Sequence, residues 1–297
     1  MNILLNLYNF QEDWAYDVLQ DVLQPEMKVC LLPLSFHENW VRSKREWNIE
    51  FGPKSHNFLE FVEAYGAYGI PKEQIVSVNY FKDSPESARA KVESADVLFF
   101  TGGFPDKMMA RLQELELVET IQNFQGIVMG ANAGAMLQFD VYHITEDQDY
   151  DHFQYHEGLG FLSGFEMEVH YEGTDIQNSA IERVMEERGV PVLAVGNQGG
   201  VLIDDDEIIP MGDVTPYGFD DDENWEEFGD WDEENQHWEE DDQGNWEEEE
   251  HWEENSEDWD ENQEEWQEDW NEEGHENWDD NDQHWEEPSG EWQDENQ

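Results

Sequence analysis

Gly126-Ile127-Val128-Met129-Gly130-Ala131-Asn132-Ala133-Gly134-Ala135-Met136 decides the fold of this 297-residue chain. Its first four residues form a short apolar run suited to a buried parallel strand, and Ala133 to Leu137 begins a helix-compatible segment. Position 132 is therefore expected on a strand-to-helix turn. Such an elbow holds its apex at a strained, often positive φ, and needs very small residues two places to either side so that backbones pass closely. Gly130 and Gly134 meet that need. In a working hydrolase of this shape the apex is Ser or Cys. Asn132 offers a delocalised amide nitrogen instead, which is no comparable nucleophile, yet Asn tolerates positive φ better than most residues and should preserve the turn.

On either side of the elbow, apolar strand-like runs recur: Ile3 to Leu7, Val29 to Leu34, Ile75 to Tyr80, Val97 to Phe100, Phe165 to Val169 and Val192 to Val195. Helical patterns lie between several of them. Phe58, Phe61, Val62 and Tyr65 fall at i, i+3, i+4 and i+7, and Ile176, Ala180, Ile181, Val184 and Met185 form a second stripe that ends at Gly189. Strands alternating with helices predict an α/β fold, a mostly parallel sheet with helices on both faces. Ligand sites of such sheets gather at the carboxyl ends of the strands. Gly200 to Met211, with Asp204-Asp205-Asp206 as its turn, reads as a closing hairpin.

Two further segments stand in order around the elbow. Phe99-Phe100-Thr101-Gly102-Gly103 is a buried strand ending in paired glycines, and Glu166-Met167-Glu168-Val169-His170-Tyr171 is a strand ending in a histidine. With these three motifs, residues 1 to 213 resemble the peptidase S51 family, serine peptidases that include dipeptidase E and cyanophycinase and whose fold is similar to class I glutamine amidotransferases. Members typically carry Gly-x-Ser-Ala-Gly-Ala at the elbow. The resemblance implies that Asn132 occupies the nucleophile position, that His170 is the general base, and that backbone N–H groups at Gly103 and Ala133 form the oxyanion hole. Imidazole accepts a proton near neutral pH and paired amides stabilise a developing oxyanion, which is why the chemistry needs these groups.

The family also places a histidine-orienting carboxylate between nucleophile and histidine. Glu146, Asp147, Asp149, Asp151 and Glu157 compete for that role, with Asp147 preferred on spacing. Phe104 departs from the Asn that many relatives carry after the paired glycines, so substrate recognition on that loop is expected to differ. The activity implied is hydrolysis of small, in some relatives acidic, peptides without a cofactor. Loss of a triad nucleophile typically costs about a millionfold in turnover, so catalysis is expected to be impaired. Ser163 and Ser179 are the alternative nucleophiles, and neither lies on an elbow.

Other motifs carry less. Asp147-x-Asp149-x-Asp151 resembles the start of a calcium loop, but His152 stands where Gly is required and Gly158 where a bidentate Glu is required, so no metal site is expected. Arg42, Lys44 and Arg45 form the one basic cluster; a solvated helix face is the simpler reading, and capture of substrate carboxylates the sharper one. Nucleic acid is disfavoured as a partner, because the chain carries 76 acidic against 13 basic residues.

That charge is unevenly spread. Up to Thr215 there are 37 acids and all 13 bases, a net of −24; from Pro216 onward there are 39 acids and no base. The division predicts one α/β domain over 1–215 and a tail over 216–297. In the tail, Asp, Glu, Asn and Gln are punctuated about every seven residues by a tryptophan, from Trp225 to Trp292. One apolar position per repeat cannot seal a coiled coil, and like charges at i and i+4 oppose a lone helix, so the tail is predicted to be disordered. Its alternative role is to grip a basic protein partner by charge and cation–π contact. Met1 to Phe10 lacks a cationic leader and Cys30 is the single cysteine, from which a cytoplasmic protein without membrane partners is expected.

Overall fold

Alternation inside the apolar runs sets the architecture of this computed structural model, which describes residues 1–204 and 207–219. β1 (Asn2–Leu5), β2 (Val29–Leu32), β3 (Ile75–Ser77), β4 (Val97–Phe100) and β5 (Ile127–Ala131) pair in parallel in the spatial order β3-β2-β4-β5-β1. In β4, Val97 and Phe99 join one core and Leu98 and Phe100 the other; β1 and β2 alternate in the same way. A sheet buried on both faces requires such unbroken apolar strands.

Helices cover each face. α1 (Asp13–Leu19) and α3 (His56–Ala67) pack Ala15, Leu19, Phe58, Phe61 and Tyr65 on the Phe99 side. α2 (Lys44–Phe51) seats Trp47 in a small satellite cluster with Phe36 and Val41. α4 (Pro85–Glu93), α5 (Pro105–Glu114), α6 (Val118–Gln122) and α7 (Ala133–Met136) supply Val92, Met108, Leu112, Ile121 and Met136 to the Phe100 side. Local chemistry starts and stops these helices: the side chains of Ser43, Ser55 and Ser84 accept N-terminal amides, and Pro85 and Pro105 fit the first turn. α8 (Asp175–Arg188) is capped by Thr174 and ends at Gly189, whose φ of 66° suits a left-handed cap. Fully buried Phe99 stacks or edges against Tyr8, Phe10, Phe61 and Tyr65. Truncating such a ring to alanine costs about 3–5 kcal/mol.

The remaining strands build the wall beside the elbow. β6 (Val141–Ile144) and β7 (Gln154–Glu157) form an antiparallel hairpin that the periodicity of the sequence does not announce. β8 (Glu166–Glu168) runs parallel to the start of β9 (Val192–Asp204), whereas the end of β9 pairs antiparallel with β1. One long strand thus serves two partners in succession. β10 (Glu207–Tyr217) follows β9 back along its length, so the closing hairpin is far longer than expected, and Pro216 and Tyr217 pair with Leu193 and Val192. The boundary expected at 215 therefore falls inside a strand, because backbone pairing continues past the point where composition changes. The acidic tail lies outside the described residues from 220 onward. Among the described residues no helix is long and apolar enough to cross a membrane.

Candidate active site

β5 ends at Ala131 and α7 begins at Ala133, which puts Asn132 at the apex of a strand-to-helix turn with φ 50° and ψ −114°. The turn is pinned by backbone: Asn132 N–H donates to Leu5 O at 2.9 Å, and Asn132 O accepts from Ala135 and Met136. The flanking glycines are obligatory. A Cβ on Gly130 would lie 2.1 Å from Gly134 O, and one on Gly134 would lie 2.1 Å from Phe100 O. The apex side chain turns back on its own helix, where its Oδ1 accepts from Ala133 N–H.

The paired glycines sit beside this apex. Gly102 N–H donates to the Tyr8 hydroxyl at 2.8 Å, while Gly103 N–H has no protein acceptor among the described residues. Burial, the largest influence, pushes the Tyr8 hydroxyl up to about 12, so it stays a neutral partner. Gly103 adopts φ 129°, and a Cβ there would approach Ser35 O to 2.7 Å. Phe104 N–H donates to the same carbonyl at 2.8 Å, which fastens the glycine loop to the segment after β2. That segment is held in turn by buried Arg111, whose guanidinium donates to Leu34 O and Phe36 O, stacks 3.7 Å from the Phe36 ring and pairs with Glu38 at 3.0 Å.

His170 leaves β8 with φ 49°, a second positive-φ residue beside the cleft. Its Nδ1 lies 2.7 Å from Asn197 Oδ1 on β9. A carbonyl oxygen there accepts the Nδ1 proton and leaves Nε2 as the proton acceptor, the tautomer a general base needs. Sequence reasoning did not weigh Asn197, because the expected strand stopped at Val195. Asp147, the preferred orienting acid, does not make this contact: its Oδ1 accepts from the amides of Asp149 and Tyr150 at 2.8 Å and closes the β6–β7 loop. Gly103, Asn132, Asp147 and His170 nevertheless line one cleft of about 440 Å³, together with Phe104 and Glu168. Ser163 and Ser179 are absent from its lining, and Lys44 and Arg45 line a different depression beside Asn48 and Ile49.

Beneath the cleft lies a buried charge cluster that sequence reasoning missed. His143 Nδ1 is 2.6 Å from Glu166 Oε2 and its Nε2 is 2.8 Å from Glu168 Oε2. Thr145 donates to Glu168 at 2.7 Å, and Arg188 pairs with the other oxygen of Glu166. Burial alone would depress the imidazole, but the two glutamates outweigh it and hold His143 at about 9. It is an imidazolium at neutral pH. The signal was there in two period-two pairs, His143-x-Thr145 and Glu166-x-Glu168, each placing polar groups on one face of an otherwise apolar strand.

Elbow, free glycine amide and half-buried histidine, each just past the carboxyl end of its strand (β5, β4 and β8), meet in one cleft on a mixed, mostly parallel sheet. The family model described as Peptidase family S51 matches residues 54–211, and the chain belongs to that family. Among solved structures, it is similar to a candidate peptidase E protein from Listeria monocytogenes EGD-e, at 15% identity and a TM-score of 0.48, covering 70% of this chain and 96% of that one. A peptidase from an acI-B1 Actinobacterium is also similar, at 15% identity and a TM-score of 0.40, covering 73% and 87%. No curated protein sequence matches the chain.

Proposed function

We propose that this chain is a peptidase S51 homologue whose cleft receives small peptides and whose hydrolytic turnover is impaired at position 132. The observation that carries the reading is the contact between Asn132 Oδ1 and Ala133 N–H. The apex lacks a nucleophilic atom, and its carboxamide also occupies one of the two amides that would stabilise an oxyanion. Gly103 is the amide left open to a substrate carbonyl. His170, held by Asn197, keeps the tautomer of a base with no hydroxyl to deprotonate. A single change to serine would supply the hydroxyl and release Ala133 N–H together.

The test uses the full chain, its Asn132→Ser variant and the Asn132→Ser/His170→Ala double variant, with a serine-directed fluorophosphonate and a panel of acidic, neutral and basic dipeptides. Labelling and hydrolysis are expected only in Asn132→Ser. Unmodified protein that hydrolysed dipeptides at an ordinary enzyme rate, and lost the activity on His170→Ala, would falsify the proposal.

A further inference from the structure

The charge of the cleft points away from acidic peptides. Glu146, Asp147, Asp149 and Glu172 line it, all exposed, and Glu168 lies at its floor. No lysine or arginine is among the lining residues, and none of the four exposed carboxylates forms an ion pair among the described residues. The imidazolium of His143 is already engaged by Glu166 and Glu168. An anionic ligand entering here would meet repulsion without a compensating cation.

The same cleft also has an aromatic wall. Phe104 stands at the centre, with its ring centroid 5.7 Å from Trp40 and 6.0 Å from Tyr150, and all three residues line the same cleft. Trp40 is 64% exposed, which leaves its ring face open to a ligand in the cleft. Tyr150 is fixed by a 2.8 Å hydrogen bond to Asp106, and burial with that bond keeps its hydroxyl protonated. Aromatic faces and carboxylates lining one cleft make the environment that holds an ammonium or guanidinium group.

We infer that the cleft selects peptides bearing a cationic side chain, lysyl or arginyl, seated between the Trp40–Phe104–Tyr150 wall and the carboxylates of Asp149 and Glu172. This rests on the reading of the cleft as peptide-binding. It assigns specificity to the side chains of Trp40, Phe104, Asp149, Tyr150 and Glu172, none of which is given a chemical step.

Calorimetric titration of the full chain at roughly physiological 0.15 M salt would use three dipeptides: Ala-Lys, Ala-Nε-acetyl-Lys and Ala-Glu. The comparison is repeated with Asp149→Asn/Glu172→Gln and with Trp40→Ala, surface changes that leave the acidic tail in place. Ala-Lys is expected to bind about tenfold tighter than its acetylated form, and Ala-Glu weakest. The double variant should lose about threefold per carboxylate and Trp40→Ala about threefold, both for Ala-Lys alone. Tightest binding of Ala-Glu would overturn the inference while leaving peptide binding intact. A lysyl preference that survives both variants would place the cation on the tail and also overturn it. If none of the three dipeptides binds, the peptide-binding reading itself fails and the inference goes with it.

Discussion

His143 and His170 both line the cleft, yet they have opposite characters. His143 is buried, gripped at both ring nitrogens by carboxylates and held at about 9. His170 is half-buried at a positive-φ strand end and touches one neutral amide. Two full-charge partners lock a proton in place on His143, whereas one carbonyl orients the His170 ring through Nδ1 and leaves Nε2 without a protein partner among the described residues. The contrast separates a histidine that holds the wall together from one that can work at its surface, and no feature of either residue alone would have made the distinction.

Breaking the first member should have the largest effect. His143→Leu leaves Glu168 buried without a cation and Glu166 with Arg188 alone, and denaturant titration should show about 3–5 kcal/mol lost. His170→Leu, measured in parallel, should change stability by less than about 0.5 kcal/mol. Equal losses in the two variants would erase the contrast.

Next in size is the pH dependence. The imidazole of His143 titrates near 6.5 when unfolded and at about 9 when folded, so its stabilisation is complete below pH 6.5 and is lost as pH rises through 9. Unfolding midpoints between pH 6.5 and 10 should register a fall of about 3 kcal/mol, and His143→Gln should flatten it. A rise over that range would contradict the geometry. Arg188→Met removes the second partner of Glu166 from a partly exposed position, and a smaller cost of about 1–2 kcal/mol is expected in the same titration.

The smallest effect sharpens the other member. In an Asn132→Ser background, Asn197→Asp should speed fluorophosphonate labelling about tenfold, because a carboxylate stabilises the imidazolium that an amide only orients. Asn197→Ala should slow it. Identical labelling rates in all three would show that Asn197 does not govern His170.

What the sequence made legible follows from range. The elbow, the glycine pair and the strand-end histidine are local patterns of fewer than ten residues, and all three fall where their composition placed them; β4 matches its expected limits residue for residue. Alternating strands and helices likewise declared the parallel sheet. The partner of His170 was not legible, because Asn197 lies 27 positions away and its place depends on β9 running through Gly196 and Gly199 to reach β1. Asp147 was favoured by chain proximity, but a carboxylate so near a tight loop finds the amides of its own turn first. His143 escaped because a hairpin of four-residue strands had to be seen before its face could be assigned.

The glycines around position 132 have a consequence for how such a site changes through time. Backbone spacing at Gly130, Gly134 and Phe100 fixes the elbow, so the apex residue is not what holds the turn in shape. Asparagine and serine codons differ by one transition in the middle base. A lineage carrying this scaffold can therefore exchange one residue for the other in a single mutational step, with the architecture retained as an inheritance either can use.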